Sequence, residues 1–328
     1  MTEQELAVAI TKPTHEGVQR AMAKIAAILP KTPLLPLEVD GVTIWCKAEM
    51  LQPIGAFKIR GAWHRLSDLN EDERARGVVG VSSGNHAQGV AWAAKKLGIS
   101  ATIVMPSNAP RMKLEATKAL GAQVVLYDRA TESREAVAAG LIAQSNATLV
   151  HAFGDPWVIE GQGTAGIEIA EQLKSLGIAG PDLIVSCCGG GGLAAGLALA
   201  CPDTEIAIVE PEGWDDIIRS LEAGEILPVN DLLHPTYCDA LQTPQTYPVN
   251  FDVLSNRVSQ GVSVTTAEVA AAMRLVFEKL HLVVEPGGAV ALAAVLAGKI
   301  ELKPVTAVTL SGGNVDRETF VQLLAQAA

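Results

Sequence analysis

Short apolar runs, each followed by a segment with helical spacing, recur between residues 78 and 144. The runs at 78–82, 101–105 and 123–127 are typical of buried strands. The segments after them place apolar residues at helical intervals, at 86–97, 110–120 and 131–144. Strands and helices that alternate in this way form parallel sheets through βαβ units. We therefore predict a small α/β domain over residues 50–150.

A second alternating series occupies the rest of the chain. Its apolar runs predict strands at 42–47, 183–187, 205–209 and 305–310. Helical spacing predicts helices at 15–28, 156–176, 193–200, 266–280 and 287–296. Several prolines predict an irregular excursion over 225–262. The fold class is thus α/β with two doubly wound open-sheet domains, in which residues 1–49 and 151–328 form a large domain and the small domain is inserted into it.

Composition predicts a large buried core and excludes some partners. Apolar residues make up 49% of the 328 residues and aromatic residues only 4%, so small aliphatic side chains must fill the core, as in parallel sheets covered by helices. The net charge of −11 argues against nucleic acid or an anionic membrane as a partner. The mostly apolar run 183–200 is interrupted by four glycines, which argues against a membrane span.

The cysteines favour a reducing compartment. There are five of them, an odd number, and no C-x-x-C is present, so neither disulfides nor a zinc site is expected. The first residues also lack the basic and then apolar pattern of a secretion signal. We therefore expect the protein to work in the cytoplasm.

The segment 54–62 contains a lysine with apolar neighbours. Lys58 lies between Phe57 and Ile59, whereas a lysine on a solvated helix face usually has polar neighbours. Desolvation lowers the pKa of a lysine, and the neutral amine can then act as a nucleophile or a base. The alternative is a lysine at a helix start whose side chain reaches water. The segment alone leaves both readings open.

Two segments of small residues connect predicted strands to predicted helices. Amides at a helix start lack partners and bind anions, and consecutive glycines let such amides converge on a phosphate. The second segment is neither G-x-G-x-x-G nor a P-loop, so it suits a monophosphate better than a dinucleotide. An ordinary helix cap and a flexible loop are the respective alternatives. The first segment is Ser82, Ser83, Gly84, Asn85 and His86, and the second is Gly189, Gly190, Gly191 and Gly192.

With Ser311-Gly312-Gly313-Asn314 after the last strand, these segments resemble the fold-type II pyridoxal-phosphate enzymes with their tryptophan synthase β-like fold. The resemblance is to the branch of the threonine/serine dehydratases and serine racemases, and it covers nearly the whole chain. It implies that Lys58 forms the Schiff base with pyridoxal 5′-phosphate and that Phe57 packs against the cofactor. Asn85 would form a hydrogen bond with the ring hydroxyl of the cofactor, and the four glycines would bind its phosphate. Ser311 would contact its ring nitrogen. Residues 82–86 would hold the substrate carboxylate.

The resemblance implies an α,β-elimination that converts L-threonine, L-serine or a related β-hydroxy amino acid into a 2-oxo acid and ammonia. Pyridoxal phosphate is an electron sink, and Lys58 would remove the Cα proton. The neutral hydroxyl of Ser311 would leave the ring nitrogen largely unprotonated. It therefore favours quick loss of the β-hydroxyl over a long-lived carbanion.

Related activities and other classes of protein are alternatives. Dehydratases of the family often have Ala before Gly-Asn-His, but this chain has Ser83. A serine there acts as acid and base in serine racemases, so a racemase with dehydratase side activity is one alternative and a hydroxyaspartate dehydratase another. Ser83 could equally be a second donor at the helix cap. A nicotinamide oxidoreductase is disfavoured because G-x-G-x-x-G and the ribose acid are missing. A non-catalytic phosphate- or amino-acid-binding protein is the third class.

The likeness to racemases implies two further sites. Glu210, the carbonyl of Trp214 and Asp216 have the spacing of a divalent-cation site, and such oxygen ligands suit Mg²⁺ or Ca²⁺. Arg134 resembles an arginine near the substrate carboxylate. The alternatives are an acidic helix N-terminus and a solvated arginine. We also expect a homodimer.

The chain departs from the family's motifs in three places. Ala56 stands where Ser is usual, Ile54 where Thr is common, and Asp239-Ala240 replaces Asp-Gly near the cofactor. These departures concern contacts to the substrate and to the edge of the ring. The other histidines show no ligand spacing and are predicted to be surface or packing residues: His15, His64, His151, His234 and His281.

Overall fold

Two sheets carry the fold in the computed structural model of the chain, which describes residues 12–82, 84–109, 111–128 and 131–326, and Met112 without its side chain. The strands of these residues are β1 (Leu34–Val39), β2 (Val42–Ala48), β3 (Val78–Val81), β4 (Ala101–Pro106), β5 (Gln123–Tyr127), β6 (Thr148–Val150), β7 (Leu183–Cys187), β8 (Glu205–Pro211), β9 (Val258–Val264) and β10 (Thr306–Leu310). The helices are α1 (His15–Ile25), α2 (Lys58–Ser67), α3 (Glu71–Arg76), α4 (Asn85–Leu97), α5 (Arg111–Ala119), α6 (Arg134–Ser145), α7 (Pro156–Ser175), α8 (Gly192–Ala200), α9 (Asp216–Ala223), α10 (Pro248–Leu254), α11 (Thr266–Leu275), α12 (Pro286–Leu296) and α13 (Arg317–Gln326).

The larger sheet has six strands in the order β1-β2-β10-β7-β8-β9. Only β1 runs antiparallel to its neighbour, β2; the other neighbouring pairs of this sheet are parallel. Every residue of β7 and β10 is buried, because these central strands are almost wholly apolar and helices such as α8 and α12 cover them. The carboxyl ends of β7 and β10 lead directly to the glycine segment and to Ser311.

The smaller sheet has four parallel strands in the order β5-β4-β3-β6. Its strands come from residues 78–150, whereas those of the larger sheet come from 34–48 and 183–310. The predicted α/β fold with two open sheets is therefore confirmed. The grouping of residues 1–49 with 151–328 into one domain stays a prediction, since helix α2 contacts both α4 and α7.

The prediction of an irregular excursion over 225–262 is wrong at its C-terminal end. Helix α10 begins there with Pro248, because a proline at the first helical position loses no hydrogen bond and has a suitable φ. Strand β9 follows and pairs with β8 at the edge of the sheet. Its alternation of Val with Ser, Gln and Gly is too weakly apolar to identify a strand. No helix in the described part of the chain is long and apolar enough to cross a membrane.

A buried network of charged side chains fixes the start of α2. The Arg60 guanidinium donates to both oxygens of Glu49 at 2.7 and 2.8 Å and to both oxygens of Glu168 at 2.8 Å. The Lys47 ammonium donates to Glu168 at 2.6 Å. All four residues are almost completely buried. The network ties the helix that begins at Lys58 to β2 and α7.

Candidate active site

One cleft is lined by the predicted cofactor and substrate residues that the structure describes. It lies where β3 and β6 of one sheet and β7 and β10 of the other end, which is where open α/β sheets bind ligands. Ser83 falls outside the described residues, so its predicted role stays a prediction. The predicted residues in the wall are Phe57, Lys58, Ser82, Gly84, Asn85, His86, Arg134, Gly189, Gly190, Gly191, Gly192 and Ser311.

Lys58 begins helix α2 and directs its amine into this cleft. Its Nζ donates to the Ala152 carbonyl at 2.7 Å and lies 5.2 Å from the centre of the Phe57 ring. Desolvation by the surrounding protein lowers the pKa of Lys58 to about 8. A substantial fraction of the amine is therefore neutral near neutral pH and able to attack a carbonyl or accept a proton. Of the two readings of this lysine, the structure favours the desolvated nucleophile.

Backbone pairing fixes the segment before Lys58 against the end of β10. The Phe57 N–H donates to the Ser311 carbonyl at 3.0 Å, and Ala56 forms an antiparallel bridge with Gly312. These contacts hold the backbone that precedes Lys58 against the backbone of Ser311 and Gly312. The side chain of Ala56 is completely buried there. This burial gives a packing reason for a small residue at Ala56, where the family usually has serine.

The glycine segment forms an amide-lined loop at the start of α8. Gly191 has φ +89°, which an L side chain rarely adopts, and a Cβ on Gly190 would lie 2.3 Å from the Phe153 ring. In the described part of the chain, no acceptor pairs with the amides of Gly189, Gly190 or Gly191. The free amides and the N-terminus of α8 suit a phosphate. These residues fit the phosphate of the predicted cofactor.

Asn85 is oriented by two partners that come from the other end of the chain. Asn314 donates to the Asn85 Oδ1 atom at 2.8 Å, and the Asn85 Nδ2 atom donates to Glu285 at 2.5 Å. The amide orientation is thereby assigned, and one Nδ2 hydrogen is left for a ligand. This donor suits the predicted bond to a ring hydroxyl. Burial raises the pKa of Glu285 to about 7, opposed mainly by Lys113.

Ser311 has neutral surroundings at the end of β10. It is nearly buried, and its hydroxyl lies beside the thiol of Cys187. Burial raises the pKa of Cys187, so this thiol stays uncharged. The hydroxyl of Ser311 therefore has an uncharged neighbour in the cleft wall. This environment fits a neutral partner for the ring nitrogen.

Arg134 and His86 complete the predicted substrate side of the cleft. Arg134 begins α6 and forms an ion pair with Glu135. Burial would raise the pKa of Glu135, but Arg134 more than offsets it, so this pKa is lowered. His86 donates from Nε2 to the Val150 carbonyl at 2.9 Å. Burial, reinforced by the charge of Lys58, lowers the pKa of His86 to about 3, so its ring is neutral.

Further side chains line the cleft that no sequence pattern assigned to it, among them Lys113, His151 and Glu285. Lys113 forms an ion pair with Asp239 and lies 4.0 Å from Glu285, which joins α5 to the far wall. His151 was predicted to be a surface or packing residue, and its position in the cleft wall shows that this prediction is incomplete. Glu285 was noted only as part of a helix start. No local pattern marks Lys113 and Glu285, because their partners are 100 or more residues away in the chain.

The predicted cation ligands lie outside this cleft. Glu210 is the second-last residue of β8 and accepts from the amides of Ile217 and Ile218 at 3.3 and 2.8 Å. The Asp216 Oδ2 atom is buried and has no partner among the described residues. Burial raises the pKa of Glu210, and the nearby charge of Asp216 raises it further. In the described part of the chain, no three His, Cys, Asp or Glu side chains form a group that could hold a metal.

Comparison with known proteins agrees with this geometry. The family described as "Pyridoxal-phosphate dependent enzyme" matches residues 25–312. The chain is 37% identical over 323 residues to a serine racemase of Schizosaccharomyces pombe, which covers 96% of this chain and 98% of the relative. It is also 37% identical over 322 residues to the L-threo-3-hydroxyaspartate ammonia-lyase of Saccharomyces cerevisiae, which covers 95% of this chain and 96% of that one.

A solved structure shows the same fold. The crystal structure of a threonine deaminase from T.th. matches with a TM-score of 0.86 and 41% identity, and the match covers 93% of this chain and 99% of that one. The predicted resemblance to fold-type II enzymes and the predicted cofactor are therefore confirmed. This chain belongs to the family of pyridoxal-phosphate dependent enzymes.

Proposed function

We propose that this chain is an ammonia-lyase that eliminates water from L-threonine, L-serine or a related β-hydroxy amino acid and releases a 2-oxo acid and ammonia. The observation that carries the proposal is the desolvated amine of Lys58, which shares one cleft with an amide-lined phosphate loop and the neutral hydroxyl of Ser311. Two of the relatives described above are an ammonia-lyase and a threonine deaminase.

The cleft residues hold and orient the cofactor in this proposal. Pyridoxal phosphate supplies an electron sink for charge that develops at the substrate Cα. The amides of the glycine loop bind its phosphate, and the Asn85 Nδ2–H donates to its ring hydroxyl. Ser311 provides a hydroxyl rather than a carboxylate at the ring nitrogen, which favours fast loss of the β-substituent.

Lys58 moves the proton in this proposal. Its Nζ, held at the Ala152 carbonyl, accepts the proton from the substrate Cα when the amine is neutral. The amides at the start of α4 receive the substrate carboxylate, and the positive charge of Arg134 lies on the same side of the cleft.

A screen of β-hydroxy amino acids tests the proposal. Purified protein with added cofactor is given both enantiomers of serine, threonine and 3-hydroxyaspartate, while 2-oxo acid release and substrate chirality are followed together. We expect equal amounts of 2-oxo acid and ammonia from at least one L-enantiomer. Inversion of the substrate that is faster than release of the 2-oxo acid would instead support the racemase alternative. Ser83 and the similarity to a serine racemase favour this alternative.

We propose in addition that Glu210, the Trp214 carbonyl and Asp216 bind Mg²⁺ or Ca²⁺. The unpartnered, buried oxygen of Asp216 supports this proposal, because a hard cation would satisfy it. Removal of divalent ions with EDTA should lower the melting temperature, and Mg²⁺ should restore it. The variant Asp216→Asn should show neither change. If neither EDTA nor Mg²⁺ changed the melting temperature of the unmodified chain, the cation site would be rejected. The acidic residues would then only stabilise the N-terminus of a helix.

A further inference from the structure

One polar side chain in the cleft wall has no part in the mechanism described so far. His151 directly follows β6 and precedes Ala152, whose carbonyl accepts from Lys58. Its Nδ1 atom faces the amides of Gly154 and Phe153 at 2.7 and 3.3 Å. A nitrogen that accepts from two amides carries no proton, which assigns the hydrogen of the neutral ring to Nε2.

The surroundings of His151 keep this tautomer. The ring meets Phe153 and Tyr247 edge-on, with centroids 4.6 and 4.5 Å away. Burial lowers the pKa of His151 to about 3, and the positive charges of Arg134 and Lys58 act in the same direction. The imidazole is therefore an uncharged donor near neutral pH.

The Nε2 atom is open to the cleft. His151 is half-buried, and its Nδ1 atom is used by the backbone. Among the described residues, no hydrogen-bond partner contacts Nε2. This atom is also accessible, because the buried polar atoms that lack a partner do not include it. The exposed polar atom of this residue is thus a single N–H that points away from the 153–154 backbone, beside the site of the Lys58 amine.

One group of a bound β-hydroxy amino acid, its β-oxygen, still lacks a hydrogen-bond donor. Under the proposed function, the substrate amine goes to the cofactor, the Cα hydrogen faces Lys58 and the carboxylate lies at the start of α4. The β-oxygen must leave as water and has no assigned donor. We propose that His151 contacts the substrate and donates a hydrogen bond from Nε2 to this β-oxygen while the Cβ–O bond breaks. The inference rests on the proposed function.

Protons and electrons balance without a change in His151. The Cα–H bond breaks, its proton goes to the Lys58 amine, and its electron pair forms the Cα=Cβ double bond. The Cβ–O bond breaks, its electron pair goes to the departing oxygen, and that oxygen takes the proton from the Lys58 ammonium and leaves as water. His151 keeps its own proton, because a neutral imidazole is a very weak acid. Its N–H stabilises the negative charge that builds up on the oxygen, as an oxyanion donor does.

Two substrates and two variants test this role. β-Chloro-L-alanine loses chloride, which needs no hydrogen-bond donor, whereas the β-hydroxy substrate loses hydroxide. We expect His151→Phe, which keeps the ring volume, to lower kcat/KM for the best β-hydroxy substrate by about 10²-fold. The loss with β-chloro-L-alanine should stay below about tenfold, since only packing is changed. His151→Gln, which keeps an N–H donor, should recover about tenfold for the β-hydroxy substrate.

Equal losses with both substrates would show that His151 only holds the backbone of Phe153 and Gly154, and would overturn the inference. Nitrogen-15 NMR of the labelled holoenzyme gives a second readout, in which we expect a hydrogen on Nε2 of His151 and none on Nδ1 from pH 5 to pH 8. The opposite tautomer would also overturn it. If the unmodified chain released no 2-oxo acid from any β-hydroxy amino acid yet acted on β-chloro-L-alanine, the proposed function itself would fail and the inference with it.

Discussion

The variant Lys58→Ala is expected to lose at least about 10⁴-fold in elimination activity. Under the proposed function it removes both the amine that would attach the cofactor and the base that would accept the Cα proton. Among the described residues of the cleft wall, the other lysine is Lys113, which is held by Asp239 and Glu285. Burial would lower the pKa of Lys113, but Asp239 and Glu285 raise it, so this amine stays charged and is a poor base.

The loss is measured as 2-oxo acid released from the best substrate of the screen, together with the visible absorbance of the protein after cofactor is added. Lys118→Ala is the matched control, because this lysine is half-exposed on α5 and pairs only with Glu115 among the described residues. We expect full activity and colour in the control and neither in Lys58→Ala. Circular dichroism must show both variants folded. Activity in Lys58→Ala within tenfold of the unmodified chain would contradict the role of this lysine.

The variant Arg60→Met is expected to destabilise the fold by about 3–5 kcal/mol. It leaves Glu49 and Glu168 buried without the guanidinium that bonds both carboxylates. Burial raises the pKa of Glu49, but Arg60 and Lys47 outweigh it and hold this pKa below its usual value. Because a lowered carboxyl pKa stabilises the fold above the unfolded-state pKa, the unmodified chain loses this contribution as the pH falls.

The variant should respond to pH in the opposite sense. Without Arg60, burial dominates and raises the pKa of Glu49, so protonation at lower pH relieves the buried charge. The difference in free energy of unfolding between the two proteins should therefore shrink as the pH falls. Urea unfolding at several pH values measures it. Lys31→Met is the control, because the exposed pair of Lys31 and Glu171 should contribute at most about 1 kcal/mol. If Arg60→Met lowered the free energy of unfolding by no more than the control does, the structural role of the network would be contradicted.

The sheets and many residues of the cleft wall could be predicted from sequence because local patterns mark them. Strands such as β7 and β10 are short, mostly apolar runs, and the glycine segment and the Ser82 segment lie at strand ends where open sheets bind ligands. Strand β9 escaped prediction because it lies at a sheet edge, where one neighbour is enough and polar residues are tolerated.

The supporting side chains could not be predicted because their partners are distant in the chain. Glu285 meets Asn85 across 200 residues, and Lys113 meets Asp239 across 126. His151 shows no ligand spacing in the sequence, and only its backbone contacts reveal which nitrogen is exposed. The orientation of these side chains thus depends on tertiary contacts between residues that are far apart in the chain. A pattern within a short segment cannot predict such contacts.

Chemical identification of the cofactor-bearing lysine tests the central claim most directly. The protein loaded with pyridoxal phosphate is reduced with borohydride, digested and examined by peptide mass spectrometry. We expect the peptide that contains Lys58 to carry the added mass of a reduced phosphopyridoxyl group. Fragment ions should place this group on Lys58. A label on Lys113 or another lysine, or a fully unlabelled chain, would contradict this expectation.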